Sequence, residues 1–458
     1  MRKIKTSIYN IFFGKRILIL GYGREGKSTL NFLRKFLTDA NITIADKNTS
    51  ALDELKNKNI SLVSGDNYLN AISNADIVMK SPGVSLKNFN ITSDVYISSQ
   101  TDLFIKLFKN QIIGVTGTKG KSTTSSLIYH ILKENMIKAI LVGNIGIPAL
   151  DKVDEIDDST LIVYELSSHQ LEFCQHSPHI SVLLNLFQEH LDHYNSYHEY
   201  RLAKWNIAKY QTINDFIILN NDDIMTRLDK KIVKNISKNI LISADGDKKS
   251  DIYFDDIFDD IFVEKLSIGF DKSQFKIIGK HNIYNLMVCL AVSKSLHINI
   301  VKVLQSCYTF KGLAHRLEYV GNVKDIDFVN DSIATIPEAA ISAIKSIINI
   351  QTIILGGLDR KISYDILIDF LTEFRPLKVI LLGEVGLRLN LALELKKYKG
   401  EKYFVNSLNE AVDMAFKITR KKMACVLSPA AASYDKFKNF EERGDLFKKL
   451  VNENKLNS

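Results

Sequence analysis

Residues 112–124, Ile-Ile-Gly-Val-Thr-Gly-Thr-Lys-Gly-Lys-Ser-Thr-Thr, contain the pattern that decides the fold of this chain. A short apolar run leads into small residues and then into Gly-Lys-Ser, and the residues that follow suit a helix. The order strand, glycine-rich loop, helix is typical of a phosphate-binding loop, where backbone N–H groups and the helix N-terminus face an anion. Lys121 is placed to reach the β- and γ-phosphates of a nucleotide, and Ser122 to hold Mg²⁺. The general pattern G-x-x-x-x-G-K-[ST] requires glycine at position 115, where this chain has Val115.

The whole chain has the composition of a globular protein with more than one domain. Its 458 residues, 46% hydrophobic and 24% charged, suggest two to four domains. No apolar run reaches the ~18 residues of a membrane helix, and the basic N-terminus lacks the features of a signal peptide. Four widely spaced cysteines indicate neither a zinc site nor a disulfide framework. We therefore predict a cytoplasmic protein without a membrane partner.

The net charge of +8 is spread along the chain, apart from modest basic runs. Diffuse positive charge is usually a solvated surface, and it also favours anionic substrates. We therefore predict small-molecule substrates and no nucleic-acid partner for this chain, which we expect to be a monomer.

The N-terminal residues predict a βαβ unit. Arg16–Leu20 is a predicted strand, Gly21–Gly26 a tight turn with the pattern G-x-G-x-x-G, and Lys27–Leu37 a helix. A second predicted strand ends at Asp46, and an acidic residue at this distance from the glycines is typical of a dinucleotide-binding fingerprint. The pattern indicates a Rossmann-like nucleotide domain, with NAD as one ligand among several. Ser81–Ser85 forms a predicted turn at a later strand end, where ligands bind in such sheets.

The middle of the chain adds candidate metal and phosphate residues. A buried-type strand finishes on Glu165, and such a carboxylate is the usual second anchor of Mg²⁺ beside a phosphate loop, although a solvated strand-end glutamate is the alternative. Residues 189–193, Glu-His-Leu-Asp-His, follow another buried strand and resemble a metal or phosphate site, although a polar loop is the ordinary interpretation for each residue alone. Lys204, on a predicted helix, would by itself be assigned to the surface.

Two asparagines and a further set of strands complete the pattern. Asn282 and Asn285 lie near the start of a predicted helix and suit a purine or phosphate, with helix capping as an equal alternative.

After residue 313, four apolar strands that end in Gly, Asp or Ser-Pro alternate with helical segments, which indicates another open parallel sheet. The predicted fold class is α/β with three domains. They are a Rossmann-like domain at 1–105, a central P-loop ATPase domain with a mononucleotide-binding fold at 106–313, and a Rossmann-like domain at 314–458.

Several motifs, taken in their order along the chain, resemble those of the Mur ligase family. They include the phosphate loop Thr116–Thr123, Glu165-Leu166-Ser167-Ser168, His190-Leu191-Asp192, Gly279-Lys280-His281-Asn282 and Asn330-Asp331-Ser332. The stretch Leu427–Asp445 is close to the signature of the glutamate-adding branch of that family. The resemblance covers nearly all of the chain. The phosphate loop that departs from the general pattern is similar to the family's own loop, in which Asn usually stands in the place of Lys119.

The resemblance implies roles for individual residues. The implied catalytic residues are Lys121, Glu165, His190 and Lys204, and Lys204 stands where the family carries a lysine that CO₂ converts to a carbamate. The implied Mg²⁺ ligands are Ser122, Glu165, His190 and Lys204. The implied ATP-binding residues are Gly117, Thr118, Lys119, Gly120, Lys121, Ser122, Thr123, Asn282, Asn285, Arg316 and Asp331. The UDP-linked substrate would lie along Gly23, Arg24, Glu25, Asp46, Asn144 and Ser167. The incoming glutamate would lie against Thr335, Arg360, Ser433 and Phe440.

The activity that the resemblance implies is the ATP-dependent addition of glutamate to UDP-N-acetylmuramoyl-L-alanine, with ATP and Mg²⁺ as cofactors. This reaction belongs to peptidoglycan precursor synthesis, and hence to cell shape and division. D-glutamate is the family default. Ile333 and Arg360 stand where the D-glutamate branch usually has lysine. With residues 23–26 and 185–190, they resemble a less common subgroup that adds L-glutamate, so both enantiomers stay open.

Three other functions fit parts of the sequence. A folylpolyglutamate synthase-like ligase shares the central and C-terminal domains, but the first domain and the Ser433–Asp445 stretch count against it. An NAD-dependent oxidoreductase built on Gly21–Gly26 leaves the phosphate loop and Glu165 unexplained. A nucleotide-binding regulator without catalysis has no use for the implied catalytic set.

Overall fold

The computed structural model describes residues 2–55, 60–87, 89–91, 94–144, 147–233, 235–277 and 279–456 of the chain. Backbone contacts divide it into two compact units, the first made of Met1–Asp271 and Ile283–Cys307, the second of Lys272–Asn282 and Tyr308–Ser458. The first unit contains two sheets and the second contains one. The division into three domains, with its boundaries, stays a prediction.

The first sheet has five strands, all parallel, in the order β3-β2-β1-β4-β5. Every residue of the two central strands β1 and β4 is buried, as expected for a parallel sheet covered on both faces. The strands are β1 (Ile17–Leu20), β2 (Ile42–Asp46), β3 (Ser61–Ser64), β4 (Ile77–Lys80) and β5 (Tyr96–Ser98), with α1 (Arg2–Phe12), α2 (Arg24–Phe36), α3 (Gln100–Phe108) and the 3₁₀ segments Thr49–Leu55 and Tyr68–Asn74.

Helix α2 begins at Arg24, earlier than the predicted start at Lys27. The reason is the third glycine of the fingerprint, Gly26, which lies in the first turn of the helix. A Cβ atom at Gly26 would lie 2.1 Å from the carbonyl oxygen of Gly21. The absence of a side chain therefore lets the helix start directly against the end of β1.

The second sheet has nine strands in the order β14-β13-β12-β11-β10-β9-β6-β8-β7. Pairing is parallel except at β12–β13 and β13–β14. The strands are β6 (Ile112–Thr116), β7 (Ala139–Gly143), β8 (Leu161–Glu165), β9 (Ile180–Leu183), β10 (Phe216–Asn220), β11 (Lys238–Ser243), β12 (Ile252–Asp255), β13 (Asp260–Val263) and β14 (Leu266–Ser267). The helices are α4 (Lys121–Glu134), α5 (Ser168–Leu171), α6 (Tyr197–Lys209), α7 (Ile224–Ile232), α8 (Lys280–Ser295) and α9 (Ile300–Thr309), with 3₁₀ segments at Lys109–Gln111 and Ala149–Glu155.

Strand β6 pairs in parallel with both β8 and β9. The carboxyl ends of these three strands therefore meet at one edge of the sheet. The phosphate loop follows β6, and Glu165 is the last residue of β8. The loop that contains His190 follows β9, so this edge collects the candidate residues of the central sequence.

The third sheet has six strands in the order β15-β16-β20-β17-β18-β19, with one antiparallel pair, β15–β16. The four predicted strands are present here, and the outer strands β15 and β19 were missed because their residues are largely half-exposed. The strands are β15 (Glu318–Val323), β16 (Ile326–Asn330), β17 (Ile350–Gly356), β18 (Lys378–Leu382), β19 (Lys402–Val405) and β20 (Ala424–Leu427). The helices are α10 (Pro337–Ser346), α11 (Asp365–Glu373), α12 (Gly383–Leu395), α13 (Leu408–Ile418) and α14 (Phe440–Leu456). The predicted α/β class is confirmed.

No helix in the described part of the chain is both long enough and apolar enough to cross a bilayer.

The two glycines at the start of α2 give a test of this packing. We expect Gly26→Ala to lower the free energy of unfolding by about 1–3 kcal/mol, because the added methyl group overlaps the Gly21 carbonyl. Gly23→Ala is the matched control: Gly23 has φ −77°, and an added methyl group there would meet no atom within 4 Å, so we expect a change below about 0.5 kcal/mol. Urea unfolding of both variants measures the difference, and equal midpoints would contradict this account.

Candidate active site

The phosphate loop spans residues 117–120, between the end of β6 and the start of α4. Gly117 and Gly120 have φ values of 154° and 89°, in the region that favours glycine. Val115 is a fully buried residue of β6. The departure from the general pattern is thereby explained, since the strand continues through Thr116 and the backbone bends later, at the two glycines.

Two lysines converge on one carbonyl group of this loop. Lys121 Nζ donates to the carbonyl oxygen of Gly117 at 2.9 Å, and Lys204 Nζ, from α6, donates to the same oxygen at 2.8 Å. Lys204 is only 2% exposed, so the surface assignment that its local sequence suggested is wrong. Burial lowers the pKa of Lys204 well below its ordinary value, the charge of Lys121 lowers it further, and Glu189 opposes the shift.

Glu165 ends β8, the strand that pairs with β6, and is 1% exposed. Its Oε1 accepts hydrogen bonds from Ser122 Oγ at 3.2 Å and from Asn144 Nδ2 at 3.0 Å. Its Oε2 is buried and has no hydrogen-bond partner. The alternative of a solvated strand-end glutamate is therefore wrong. A buried carboxylate oxygen without a donor is costly unless a cation satisfies it, so the residues present fit a divalent cation.

His190 lies on the loop that follows β9, in a left-handed backbone conformation with φ 59°. Its side chain is 46% exposed, and its ring centroid lies 4.8 Å from that of His169 and 6.0 Å from that of Tyr200. Desolvation lowers the pKa of His190, and Glu189 opposes the shift. Among the contacts described for His190, none reaches Ser122 or Glu165. The structure therefore joins Ser122 to Glu165 directly but does not bring all four predicted metal ligands into contact.

No group of three or more His, Cys, Asp or Glu side chains within the described ranges is arranged to hold a metal ion. A cation at Glu165 would thus depend on the Ser122 hydroxyl and on oxygen atoms of a bound nucleotide, which is the ordinary manner in which Mg²⁺ binds with phosphates.

A cavity of about 530 Å³ opens at the carboxyl ends of the first sheet. All six residues predicted for the UDP-linked substrate line it: Gly23, Arg24, Glu25, Asp46, Asn144 and Ser167. Its wall also includes Lys47, Tyr68 and Gln170, which the sequence reasoning missed. These three carry no motif, since Lys47 and Tyr68 lie in ordinary polar segments and Gln170 follows a serine pair. The Ser81–Gly83 turn, noted in the sequence as a strand-end turn, lines the cavity as well.

Asn144 connects the cavity with Glu165. Its side chain donates to Glu165, and the residue also lines the cavity.

Elsewhere in the wall, Gln170 Nε2 donates to Glu25 Oε1 at 2.7 Å. Burial raises the pKa of Glu25, and the Gln170 hydrogen bond opposes the shift. The carboxylate of Asp46 accepts from the Tyr22 N–H at 2.6 Å, which ties the end of β2 to the glycine turn.

The two predicted adenine contacts lie on α8. Thr124 Oγ1 donates to Asn285 Oδ1 at 3.1 Å, which links this helix to the helix of the phosphate loop. Asn282 is 6% exposed, and its backbone N–H donates to the Gly279 carbonyl. The first unit contains Asn285 and the second contains Asn282.

The other predicted nucleotide residues belong to the second unit. Asp331 is 5% exposed and accepts from Ser428 Oγ at 2.8 Å and from the Leu317 N–H at 3.1 Å. Burial raises the pKa of Asp331 to about 7, against the effects of the Ser428 hydrogen bond, the Leu317 N–H and the nearby Arg316 charge.

The predicted glutamate residues all belong to the second unit, where one pair of them is in contact. Arg360 donates to the Thr335 carbonyl at 3.0 Å. Ser433 is buried, and the carbonyl of Phe440 accepts from Ser332 Oγ at 2.8 Å. The sequence reasoning missed a connecting residue, Arg443, whose Nε donates to the same Ser332 hydroxyl at 3.0 Å. Arg443 is 1% exposed, and burial lowers its pKa to about 10.

Comparisons with known proteins show the family of this chain. The family model of the Mur ligase middle domain matches residues 115–293, and that of the Mur ligase MurD-like N-terminal domain matches residues 15–97. A UDP-N-acetylmuramoylalanine–D-glutamate ligase of Clostridium kluyveri is 35% identical, over 96% of this chain and 97% of the relative. One of Clostridium botulinum is 32% identical over 96% of both chains.

Solved structures share the fold at lower identity. UDP-N-acetylmuramate-alanine ligase MurC from Thermotoga maritima has a TM-score of 0.55 and 20% identity, and covers 96% of this chain and 99% of its own. MurF ligase from Thermotoga maritima, solved in complex with ADP, has a TM-score of 0.57 and 16% identity, and covers 95% of both chains.

The fold and the site together define an enzyme with a phosphate loop and a second ligand cavity at neighbouring sheet edges. The chain belongs to the Mur ligase family, whose members use ATP. The predicted resemblance to this family and to its glutamate-adding branch is confirmed.

The raised pKa of Asp331 predicts a pH-dependent stability. Because the folded state keeps this carboxyl protonated up to about pH 7, whereas an unfolded aspartate loses its proton near pH 4, the stabilisation is present below pH 4 and is lost as the pH rises to 7. Relative to Asp331→Asn, the wild type should lose a few kcal/mol of unfolding free energy between pH 4 and pH 7. Urea unfolding of both proteins across this range tests the expectation, and a constant difference would contradict it.

Proposed function

We propose that this chain joins D-glutamate to UDP-N-acetylmuramoyl-L-alanine in an ATP-dependent reaction, with the uridine diphosphate in the cavity of the first sheet and ATP on the phosphate loop. The observation that carries the proposal is the double role of Asn144, which lines the cavity and donates to Glu165. A substrate in the cavity would extend past Asn144 towards the phosphate loop. Its alanyl carboxylate and the γ-phosphate of ATP would then lie within one site.

The chemistry needs activation because a carboxylate is a poor electrophile. In the proposed first step, an oxygen of the alanyl carboxylate attacks the γ-phosphorus of ATP, and ADP leaves with the electron pair of the broken bond. In the second step, the amine of glutamate attacks the acyl carbon of this acyl phosphate, and inorganic phosphate leaves as the amide forms and the amine loses a proton. Lys121, at the start of α4, is placed to offset the phosphate charge during the transfer.

We propose that two Mg²⁺ ions accompany ATP, the first held by Ser122 and Glu165 and the second by His190, with a modified Lys204 as a further ligand. The buried Glu165 Oε2 without a hydrogen-bond partner supports this assignment. When bound, Mg²⁺ supplies positive charge that stabilises the transferring phosphoryl group. The remaining predicted ATP contacts are assigned to the phosphate loop residues, Asn282, Asn285, Arg316 and Asp331.

Lys204 is proposed to react with CO₂ at its Nζ atom. A neutral amine forms the N–C bond with the carbon of CO₂ and releases one proton, which leaves a carbamate anion. Two features support this: burial favours the neutral amine, and Lys204 has no carboxylate at ion-pair distance among the described residues. An anion at this position would interact favourably with Lys121 and with a metal ion, whereas an ammonium would repel both.

The amino-acid substrate is proposed to bind against Thr335, Arg360, Ser433 and Phe440 in the second unit. The Arg360 guanidinium, anchored on the Thr335 carbonyl, suits a carboxylate of glutamate. The names of the relatives favour D-glutamate. The L-enantiomer is the alternative, motivated by Ile333 and Arg360.

The proposed setting of the reaction is the cytoplasm, with the enzyme as a monomer and without nucleic acid. The four cysteines support a reducing compartment, since all four are free and buried.

Phosphate release tests the reaction itself. With UDP-N-acetylmuramoyl-L-alanine, ATP and Mg²⁺, we expect release when D-glutamate is added, and a product heavier by one glutamyl residue in mass spectrometry. L-glutamate is the matched control substrate, and an L-glutamate preference would reverse the stereochemical assignment. Absence of phosphate release with either enantiomer would refute the proposed function.

Replacement of Lys204 tests its role. Because the proposed carbamate compensates the charge of Lys121 and of the metal, Lys204→Ala should lower kcat by at least about 100-fold, and small carboxylates such as formate should restore part of it. Lys209→Ala, on the exposed face of the same helix, is the control and should keep wild-type kcat. Wild-type activity of Lys204→Ala would show that the buried amine has no part in the reaction.

A further inference from the structure

The loop of residues 187–194, here called the His190 loop, contacts two other parts of the first unit. One is the phosphate loop, and the other is the segment 80–87 that follows β4 and lines the cavity. Only a few of its side chains are buried, and its apolar residues Phe187 and Leu191 are 54% and 43% exposed. Apart from Tyr194, which packs against Tyr200, the loop is therefore held mainly by contacts at its two sides.

On the first side, the chain just before and within the His190 loop binds the phosphate loop. Asn185 Oδ1 accepts from the backbone N–H groups of Thr118 at 3.1 Å and Lys119 at 2.8 Å. The Phe187 N–H donates to Thr118 Oγ1 at 2.9 Å. Lys119 stands where the family usually has asparagine. It forms an ion pair of 2.5 Å with Glu189.

On the second side, the half-buried carboxylate of Glu172, 19% exposed, joins the His190 loop to the end of β4. Glu172 Oε2 lies 3.1 Å from Lys80 Nζ and 3.1 Å from His193 Nε2. The Lys80 side chain is 2% exposed and that of His193 is 9% exposed. Polar groups at this depth require hydrogen-bonding partners, so Glu172 fixes both side chains.

Lys87 adds a direct link from the same segment. Its Nζ donates to the carbonyl oxygens of Leu191 and Tyr194, each at 3.3 Å. Lys80 and Lys87 lie on either side of Ser81–Val84, which line the cavity. A ligand that orders this turn therefore acts on both anchors of the His190 loop.

We propose that Lys87 and Glu172 are positioning residues that couple the occupied cavity to the phosphate loop by holding the His190 loop. The inference rests on the proposed function, in which the cavity takes the UDP-linked substrate and the phosphate loop takes ATP. His190 occupies a left-handed conformation that a non-glycine residue rarely adopts, so the loop needs such anchors. When one ligand orders the His190 loop, the second ligand binds to a loop already ordered, and the effect is reciprocal.

The test is a binding cycle without glutamate. The Kd of UDP-N-acetylmuramoyl-L-alanine is measured by calorimetry, with and without a saturating ATP analogue that has a non-hydrolysable β,γ link. In the wild type we expect the analogue to lower this Kd by at least about fivefold, in the ordinary range of coupling between sites. The coupling ratio is the Kd of UDP-N-acetylmuramoyl-L-alanine without the analogue divided by its Kd with the analogue. In Lys87→Met this ratio should fall to within about twofold of one, while the Kd for the analogue alone stays unchanged.

Lys35→Met is the matched control. Lys35 on α2 forms an ion pair of 2.6 Å with Asp154, which also joins the first sheet's layer to the second sheet's layer but does not touch the His190 loop. This variant should keep the wild-type ratio. Loss of the ratio in the control as well would overturn the inference, because general loosening of the unit would then explain the effect.

A second variant guards against local misfolding. Glu172→Gln keeps the shape of the side chain and weakens its hold on Lys80 and His193, so its ratio should also approach one. A wild-type ratio in both Lys87→Met and Glu172→Gln, or no coupling in the wild type, would overturn the inference. Failure of the wild type to bind UDP-N-acetylmuramoyl-L-alanine at all would instead refute the proposed function.

Discussion

The carbonyl oxygen of Gly117 accepts hydrogen bonds from two lysine side chains, and this arrangement organises the site. Lys121 is held there by the first turn of α4, and Lys204 by its burial on α6. Because Lys204 is withdrawn from water and lies beside the charge of Lys121, the charged form of its amine is disfavoured unless an anion joins the two side chains. In the proposed function, the phosphates of ATP and a carbamate at Lys204 would both supply that negative charge. The electrostatics of this lysine pair therefore favour a bound anion.

The same argument applies with opposite sign at Glu165. One carboxylate oxygen is held by Ser122 and Asn144, and the other is buried without a donor. The two lysine side chains at the Gly117 carbonyl and the Glu165 carboxylate both lie beside the carboxyl ends of β6 and β8. Parallel pairing of β6 with β8 and β9 creates this edge, because the three strands must end together. The sheet thus brings basic and acidic side chains to one edge, an arrangement that the proposed metal–nucleotide complex would use.

Several parts of the site were predictable from short segments. The phosphate loop, the glycine turn before α2 and the strand that ends at Glu165 all have local causes, namely positive φ at glycine, close backbone approach and apolar strand composition. All six residues that the family resemblance implied for the UDP-linked substrate line one cavity, and each lies near a strand end or helix start. The edge strands β15 and β19 were missed because half-exposed strands lack a continuous apolar run.

The sequence by itself determined the α/β class, the position of the phosphate loop and the family, since these depend on local patterns of glycine, apolar residues and short motifs. Only the tertiary structure decided the state of Lys204, which its own helix would place at the surface and which packing buries to 2% exposure. The same holds for Lys119 and Lys87, whose partners lie 70 and more than 100 positions away in the chain. Burial and pairing across such distances depend on how strands are ordered in a sheet. No local pattern of residues encodes that order, so the charge balance of this site depends on the tertiary structure.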